Sequence, residues 1–195
     1  MEDQTETIGQ PYPLIEFKIA DAKMGKVLPC NEIGEICIRG WQAMIGYYNM
    51  SEETAKTIEA DGWVHTGDLG IMDERGFVKI TGRLKEMIIR GGENIYPAEI
   101  EELLQKHPKI EKAALVGVPD EYWGEQVGAV IIPKSPDNKP TPGELHDYCR
   151  ASLAAFKTPK FWYFVDDYPY TATGKIQKFM LIDKIVKSEL KAETI

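Results

Sequence analysis

Gly82-Arg83-Leu84-Lys85-Glu86-Met87-Ile88-Ile89-Arg90-Gly91-Gly92-Glu93-Asn94-Ile95-Tyr96-Pro97-Ala98-Glu99-Ile100-Glu101 is the stretch on which the reading of this chain turns. It starts in strand-like sequence and ends in helix-like sequence. Pro97 suits a first helical position, where a missing N–H costs nothing, and Ile100, Leu103 and Leu104 then recur on one helical face. Pro108 closes that helix. The glycine pair Gly91-Gly92 permits positive φ and lets a ligand come close to the backbone; the plainer reading is a connecting turn. The change in pattern places a domain boundary at residues 84–86.

Toward the N-terminus the chain reads as mostly β. Ile36 and Ile38 alternate with Glu35, Cys37 and Arg39 between Gly34 and Gly40, which predicts a short strand with one polar face. Ser51 before Glu52 and Glu53 predicts the cap of a short helix reaching about Ile58. Asp73-Glu74-Arg75-Gly76 predicts a turn between two strands. Toward the C-terminus α and β alternate. Ala113–Val118, Gly128–Ile132 and Phe161–Val165 are strand-like runs, and Thr141-Pro142-Gly143-Glu144 has the form of a capping box. The helix after it presents Leu145, Tyr148, Cys149 and Leu153 on one side, and Phe179–Leu190 is helical again. The fold class is α+β: a β-rich part over residues 1–83, a joint at 84–86, and a small mixed α/β domain over 87–195.

Composition narrows the function. The chain has 195 residues and a formal net charge of −8, split −5 over residues 1–85 (9 basic, 14 acidic) and −3 over 86–195 (14 basic, 17 acidic). With no basic half, nucleic acid is a poor partner. Three cysteines without a CxxC pair predict neither a disulfide framework nor a zinc site, which points to a reducing, cytoplasmic setting. No apolar run has the length of a membrane span, and Met1-Glu2-Asp3-Gln4 does not resemble a signal peptide. His65, His107 and His146 are scattered without metal-ligand spacing, so no metal site is expected and each is read as structural or exposed.

Several short segments could carry chemistry. In Thr66-Gly67-Asp68, a carboxylate on a tight glycine turn before a new strand could accept both hydroxyls of a ribose diol. Arg83 could bind ribose or phosphate oxygens. Thr171-Ala172-Thr173-Gly174-Lys175-Ile176 is a small-residue loop that could deliver one ammonium group to a phosphate or carboxylate oxygen; it lacks Walker A spacing. Each has a plainer reading as a solvated turn, surface ion pair or loop.

Order and spacing carry what the single segments do not. GWVHTGD, GRLKEMIIRGGENIYPAEIE, FKTPK and TATGKIQK, in that sequence, closely resemble the later core motifs of the acyl-adenylate-forming superfamily, which includes acyl-CoA synthetases, peptide-synthetase adenylation domains and beetle luciferase. The resemblance runs from about Thr7 to Met180, and the GGENIYPAEIE wording is most similar to medium-chain or general fatty acyl-CoA synthetases.

That resemblance implies an ATP-dependent, AMP-forming ligase that joins a carboxylate, read as a fatty acid, to CoA through acyl-AMP, with ATP, Mg²⁺ and CoA as cofactors and co-substrates. Residues 1–83 resemble the last β-rich subdomain of the large N-terminal domain, and residues 87–195 the small C-terminal domain. The phosphate loop, acyl pocket and Mg²⁺ ligands are expected upstream, so the chain alone is expected to be inactive. Glu6-Thr7-Ile8-Gly9 resembles the tail of the segment after the adenine- and magnesium-contacting motif. By resemblance Asp68 binds the ribose hydroxyls, Arg83 assists it, Lys85 is the hinge, Gly92 lines the pantetheine tunnel and Lys175 bridges carboxylate and phosphate oxygens in adenylation. Tyr168-Pro169-Tyr170 departs from the Leu-Pro-Arg or Leu-Pro-Leu of many members. Two other readings stay open: a non-catalytic nucleotide- or CoA-binding fragment, and a module loading a carrier protein.

Overall fold

A computed structural model describes residues 7–195, so Glu6 and the residues before it lie outside the account that follows. The chain divides into two compact units, the first ending at Lys85 and the second spanning Glu86–Ile195.

The first unit is built on an antiparallel sheet ordered β1-β2-β3-β4: Glu16–Ala20, Gly34–Arg39, Val64–Met72 and Val78–Arg83. Ile19, Ile36 and Val78 form its small core, with Phe17, Leu28, Ile38 and Met72 packed against it. The turn at Asp73–Gly76 forms as expected: the Asp73 carboxylate accepts the N–H groups of Arg75 and Phe77, and Gly76 has φ 82°. Two local expectations need correction. Strand β2 has no solvated polar face, because Glu35 and Cys37 are buried with Ile36. Helix α1, Ser51–Thr57, is not capped by Ser51, which is its first helical residue; Met50 holds the cap position and makes no side-chain cap bond. Thr54 Oγ1 compensates by donating to the Met50 carbonyl and accepting the Tyr47 N–H.

In the second unit β7 (Ile110–Asp120) and β8 (Gly124–Pro133) form a long antiparallel hairpin. The short β5 (Ile88–Arg90) joins β8 at its start and pairs with β6 (Glu93–Ile95), while β9 (Phe161–Phe164) runs parallel to β8 along Gly128–Ile131. Side chains alternate across this sheet. Ala113, Leu115, Val127, Ala129, Ile131 and Trp162 point into one core with helices α2 (Pro97–Gln105) and α3 (Pro142–Arg150). Ala114, Val116, Val130, Ile132 and Tyr163 point into a second core with α4 (Lys178–Val186). A sheet covered on both faces needs apolar residues at successive positions, which explains the unbroken apolar runs in β7 and β8.

Helix α2 buries Ile100 and Leu104 completely, each worth roughly 2 kcal/mol of burial. In α3 the Thr141 hydroxyl accepts the Glu144 N–H, but the Glu144 carboxylate turns to Lys109 at 2.8 Å and His107 at 3.5 Å. Leu153 lies beyond the end of that helix and packs on the same core from the following turn. Helix α4 starts one residue earlier and stops sooner than its sequence suggests, at Val186. The departure at Tyr168 has a packing reason: the ring is buried in the second core and its hydroxyl donates to the Val130 carbonyl at 2.8 Å.

Candidate functional site

Asp68 stands on a crimp inside one continuous strand, not on a turn before a new one. Strands β2 and β3 pair as Cys37 with His65 and then Glu35 with Leu69, so four steps along β3 oppose two along β2. The excess residues bulge outward and re-aim their side chains. Gly67 has φ +71°, a conformation that glycine takes without steric cost. The strand continues because β2 satisfies the polar groups of the bulge. Thr66 Oγ1 donates to the Ile36 carbonyl at 2.8 Å and accepts the Asp68 N–H at 3.1 Å, and the Gly67 N–H donates to Glu35 Oε1 at 3.1 Å.

Arg83 is the register partner of Asp68 on β4, and its Nε lies 3.3 Å from Asp68 Oδ1. The two side chains are 44% and 36% exposed, so the carboxylate is both oriented and open to a ligand. An ionised carboxylate has several acceptor directions, and one guanidinium contact leaves room for hydroxyl donors.

Beneath the crimp lies a charged cluster that the sequence reading did not anticipate. His65 Nδ1 is 2.8 Å from Glu35 Oε2, and its Nε2 is 2.8 Å from Glu59 Oε1. Lys18 Nζ approaches the same Glu59 oxygen at 3.3 Å and lies over the Trp63 ring. Two carboxylates therefore face an ammonium group and an imidazole. The hydrogen bond to Glu35, helped by its charge and by Glu59, outweighs the burial that works against the imidazolium and raises the His65 pKa. Burial, reinforced by Glu35, pushes the Cys37 thiol to about 11, so it stays protonated 3.6 Å from His65 Nδ1. Glu35, Cys37 and His65 bring ligand-type atoms within 4.8 Å of one another. Both imidazole nitrogens are already engaged with carboxylates, and a thiol and an imidazole are the wrong donors for Mg²⁺, which takes oxygen ligands. The cluster does not fit that ion. The equal alternation of β2 hid Glu35 from the sequence reading by assigning it to a solvated face.

The remaining sequence candidates are exposed. Lys85 sits in a single 3-10 turn, Leu84–Glu86. Gly91 and Gly92 form the tip between β5 and β6, with φ 58° and 89°. They differ in surroundings: a Cβ on Gly91 would strike the Trp123 ring at 2.6 Å, whereas a Cβ on Gly92 would meet nothing within 4 Å. The backbone of Gly92 is open to an approaching group. Lys175 closes a tight loop in which its carbonyl accepts the Thr171 N–H at 2.8 Å and its N–H donates to Thr171 Oγ1 at 3.1 Å. Its ammonium group makes no ion pair among the described residues, so it is free to meet a ligand oxygen. Three residues on, Lys178 is different. Its Nζ lies 2.9 Å from Glu86 and 2.8 Å from Glu101; burial opposes its charge, yet the two carboxylates outweigh that and raise its pKa.

The structure thus brings Asp68 and Arg83 together on adjacent strands and leaves Gly92 and Lys175 on separate loops of the second unit. Among the described residues no helix is long and apolar enough to cross a membrane.

Residues 99–175 match the AMP-binding enzyme C-terminal domain, and residues 1–48 match the AMP-binding enzyme family. The chain belongs to this family of adenylate-forming enzymes, whose acyl-CoA synthetase members it resembles. It is 47% identical over 185 residues to YngI of Bacillus subtilis (strain 168), covering 94% of this chain and 33% of YngI. It is 42% identical over 185 residues to the mitochondrial medium-chain acyl-CoA ligase ACSF2 of Bos taurus, covering 95% of this chain and 30% of that protein. Among solved structures, ATP-bound MatB from Rhodopseudomonas palustris is 37% identical with a TM-score of 0.86, over 92% of this chain and 35% of MatB. The chain therefore spans about a third of the length of the curated relatives it matches.

Proposed function

We propose that the complete protein is an AMP-forming ligase that joins a fatty acid to CoA, and that this chain supplies its ribose-binding strand pair, its hinge and its small C-terminal domain. The observation that carries the proposal is the Asp68–Arg83 pair: the motif residues meet across β3 and β4 with the carboxylate oriented and accessible. The named medium-chain ligase among its relatives supports the fatty-acid class.

In the first half-reaction a carboxylate oxygen attacks the α-phosphorus of ATP, the bond to pyrophosphate breaks, and acyl-AMP forms. Asp68 accepts the ribose hydroxyls and Arg83 fixes the direction of its carboxylate. Lys175, which makes no ion pair among the described residues, offsets the negative charge that gathers on the transferring oxygens. In the second, the CoA sulfur attacks the acyl carbon, a thioester forms and AMP leaves. The open backbone at Gly92 admits the pantetheine arm, and Lys85 serves as the hinge between the two steps. Mg²⁺ is assigned to residues outside this chain. The 195 residues alone, about a third of a relative's length, would not carry out adenylation.

Two variants of the complete protein test this. Lys175→Ala should lose fatty-acid-dependent pyrophosphate exchange by 100-fold or more, on the order of the effect of removing one charge-stabilising group, yet still convert supplied acyl-AMP and CoA to thioester. Gly92→Leu should retain the exchange and fail with CoA, because its side chain enters space that is empty in the folded unit. Equal slowing of both half-reactions by both variants would overturn the division of labour. Robust exchange by the 195-residue chain would show that it holds a complete adenylation site.

A further inference from the structure

Glu35 is a carboxylate only 5% exposed, on a strand where its neighbours Gly34, Ile36 and Cys37 are buried too. Such a group is costly to bury unless both oxygens are engaged. Both are: Oε2 meets His65 Nδ1 at 2.8 Å, and Oε1 accepts the Gly67 N–H at 3.1 Å. Gly67 precedes Asp68 in the chain and holds the positive φ that turns the strand. The Thr66 hydroxyl adds two bonds at the crimp, donating to the Ile36 carbonyl and accepting the Asp68 N–H. The Glu35 bond holds the peptide between them from the side of β2.

We propose that Glu35 is a positioning residue for ribose recognition: its buried carboxylate, clamped by His65, holds the Gly67 amide and so sets the direction in which Asp68 presents its oxygens. The proposal rests on the reading of Asp68 as the ribose ligand. Hydrogen bonds to a diol are sharply directional, so a peptide free to rock about Gly67 would let the Asp68 carboxylate swing, and selectivity for the diol would suffer before affinity for the triphosphate. The charges facing His65 are Glu35 from β2 and Glu59 from the segment before β3, with Lys18 from β1 on the same Glu59 oxygen and the neutral Cys37 thiol alongside. The clamp is thus supplied by three elements of the first unit.

The test is the preference of the complete enzyme for ATP over 2′,3′-dideoxy-ATP, measured as the ratio of kcat/KM values in pyrophosphate exchange. Asp68→Ala should collapse this ratio toward one. Glu35→Ala, which removes the acceptor, and Glu35→Asp, which keeps the charge but withdraws it by one methylene, should each lower the ratio about tenfold, the size of effect that loss of one hydrogen bond to a charged group supports. Glu35→Gln should restore most of it, since its amide oxygen can still accept from Gly67 while its NH₂ donates to a neutral His65. If Glu35→Ala does not fold, the Asp and Gln variants decide. Variants that melt at lower temperature but keep the wild-type ratio would make Glu35 a purely structural residue and overturn the proposal. A wild-type ratio in Asp68→Ala would instead sink the ribose reading beneath it.

Discussion

At the residue scale the charged cluster of the first unit makes a prediction that activity does not enter. The bond to Glu35 is the largest influence on His65, and it favours the imidazolium, so the folded pKa stands above the ordinary value of 6.5. A group whose pKa is raised on folding contributes stability that is complete below the unfolded pKa and is lost as the pH climbs through the folded one. The thermal midpoint of the protein should therefore fall as the pH rises from about 6.5, the unfolded value, and the part of that fall due to His65 should be missing in His65→Gln. Parallel pH profiles for the two proteins above pH 6.5 would contradict a charged His65. The candidate ligands Asp68, Arg83, Gly92 and Lys175 were legible from their motifs, because the chemistry is written in residue types at fixed spacing. Glu35 was not: its partners are His65 and Gly67 on another strand, and nothing in the local alternation of β2 distinguishes a buried, paired glutamate from a solvated one.

At the scale of elements, α4 follows the Lys175 loop directly, and Lys178 in its first turn ties it to Glu86 and to Glu101 of α2. Glu101 also accepts the Leu115 N–H of β7 at 2.8 Å, so one ionic knot joins α4, α2, β7 and the start of the second unit. Lys178→Met fills the same space without the charge and leaves two carboxylates facing each other in partly dry surroundings. It should destabilise the second unit by about 2–3 kcal/mol, read as a lower denaturant midpoint with an unchanged slope. A loss below about 0.5 kcal/mol, the range of an ordinary surface change, would reduce the knot to a solvated ion pair. The helix positions themselves follow from local signals: Pro97 and Pro142 bring no N–H to the first turn, and Thr141 accepts the N–H of Glu144. Their lengths do not, because the last turns are decided by what they pack against. Leu190, expected inside α4, instead reaches the second core from beyond the helix end.

At the scale of the whole molecule, each unit has its own core: Ile19, Ile36 and Val78 in the first, and two clusters on the two faces of the β7–β8–β9 sheet in the second. We propose that residues 84–86 form the joint between domains over 1–83 and 87–195. Arg83 and Lys85 are exposed basic residues on either side of Leu84, so limited trypsin treatment should cut there early and leave a protected piece beginning near Glu86. That piece should unfold cooperatively, since it retains both of its cores. Preferred cleavage after Lys109, Lys112 or Lys134, the tryptic sites at the ends of the β7–β8 hairpin, with no product starting near Glu86, would contradict the boundary.

The sequence by itself determined the membership of the chain in its family, the α+β class and the local signals of its turns and helix starts, because ordered motifs, glycine pairs, prolines and caps act over a few residues. Tertiary structure alone decided the rest. It set the register that places Arg83 opposite Asp68, the crimp that keeps Thr66-Gly67-Asp68 within a strand, and the burial of Glu35 and Cys37. It also made β7 and β8 an antiparallel pair covered on both faces. Each of these depends on which strand lies alongside. Backbone N–H groups and buried carboxylates must find partners, and in a sheet those partners come from residues distant in the chain.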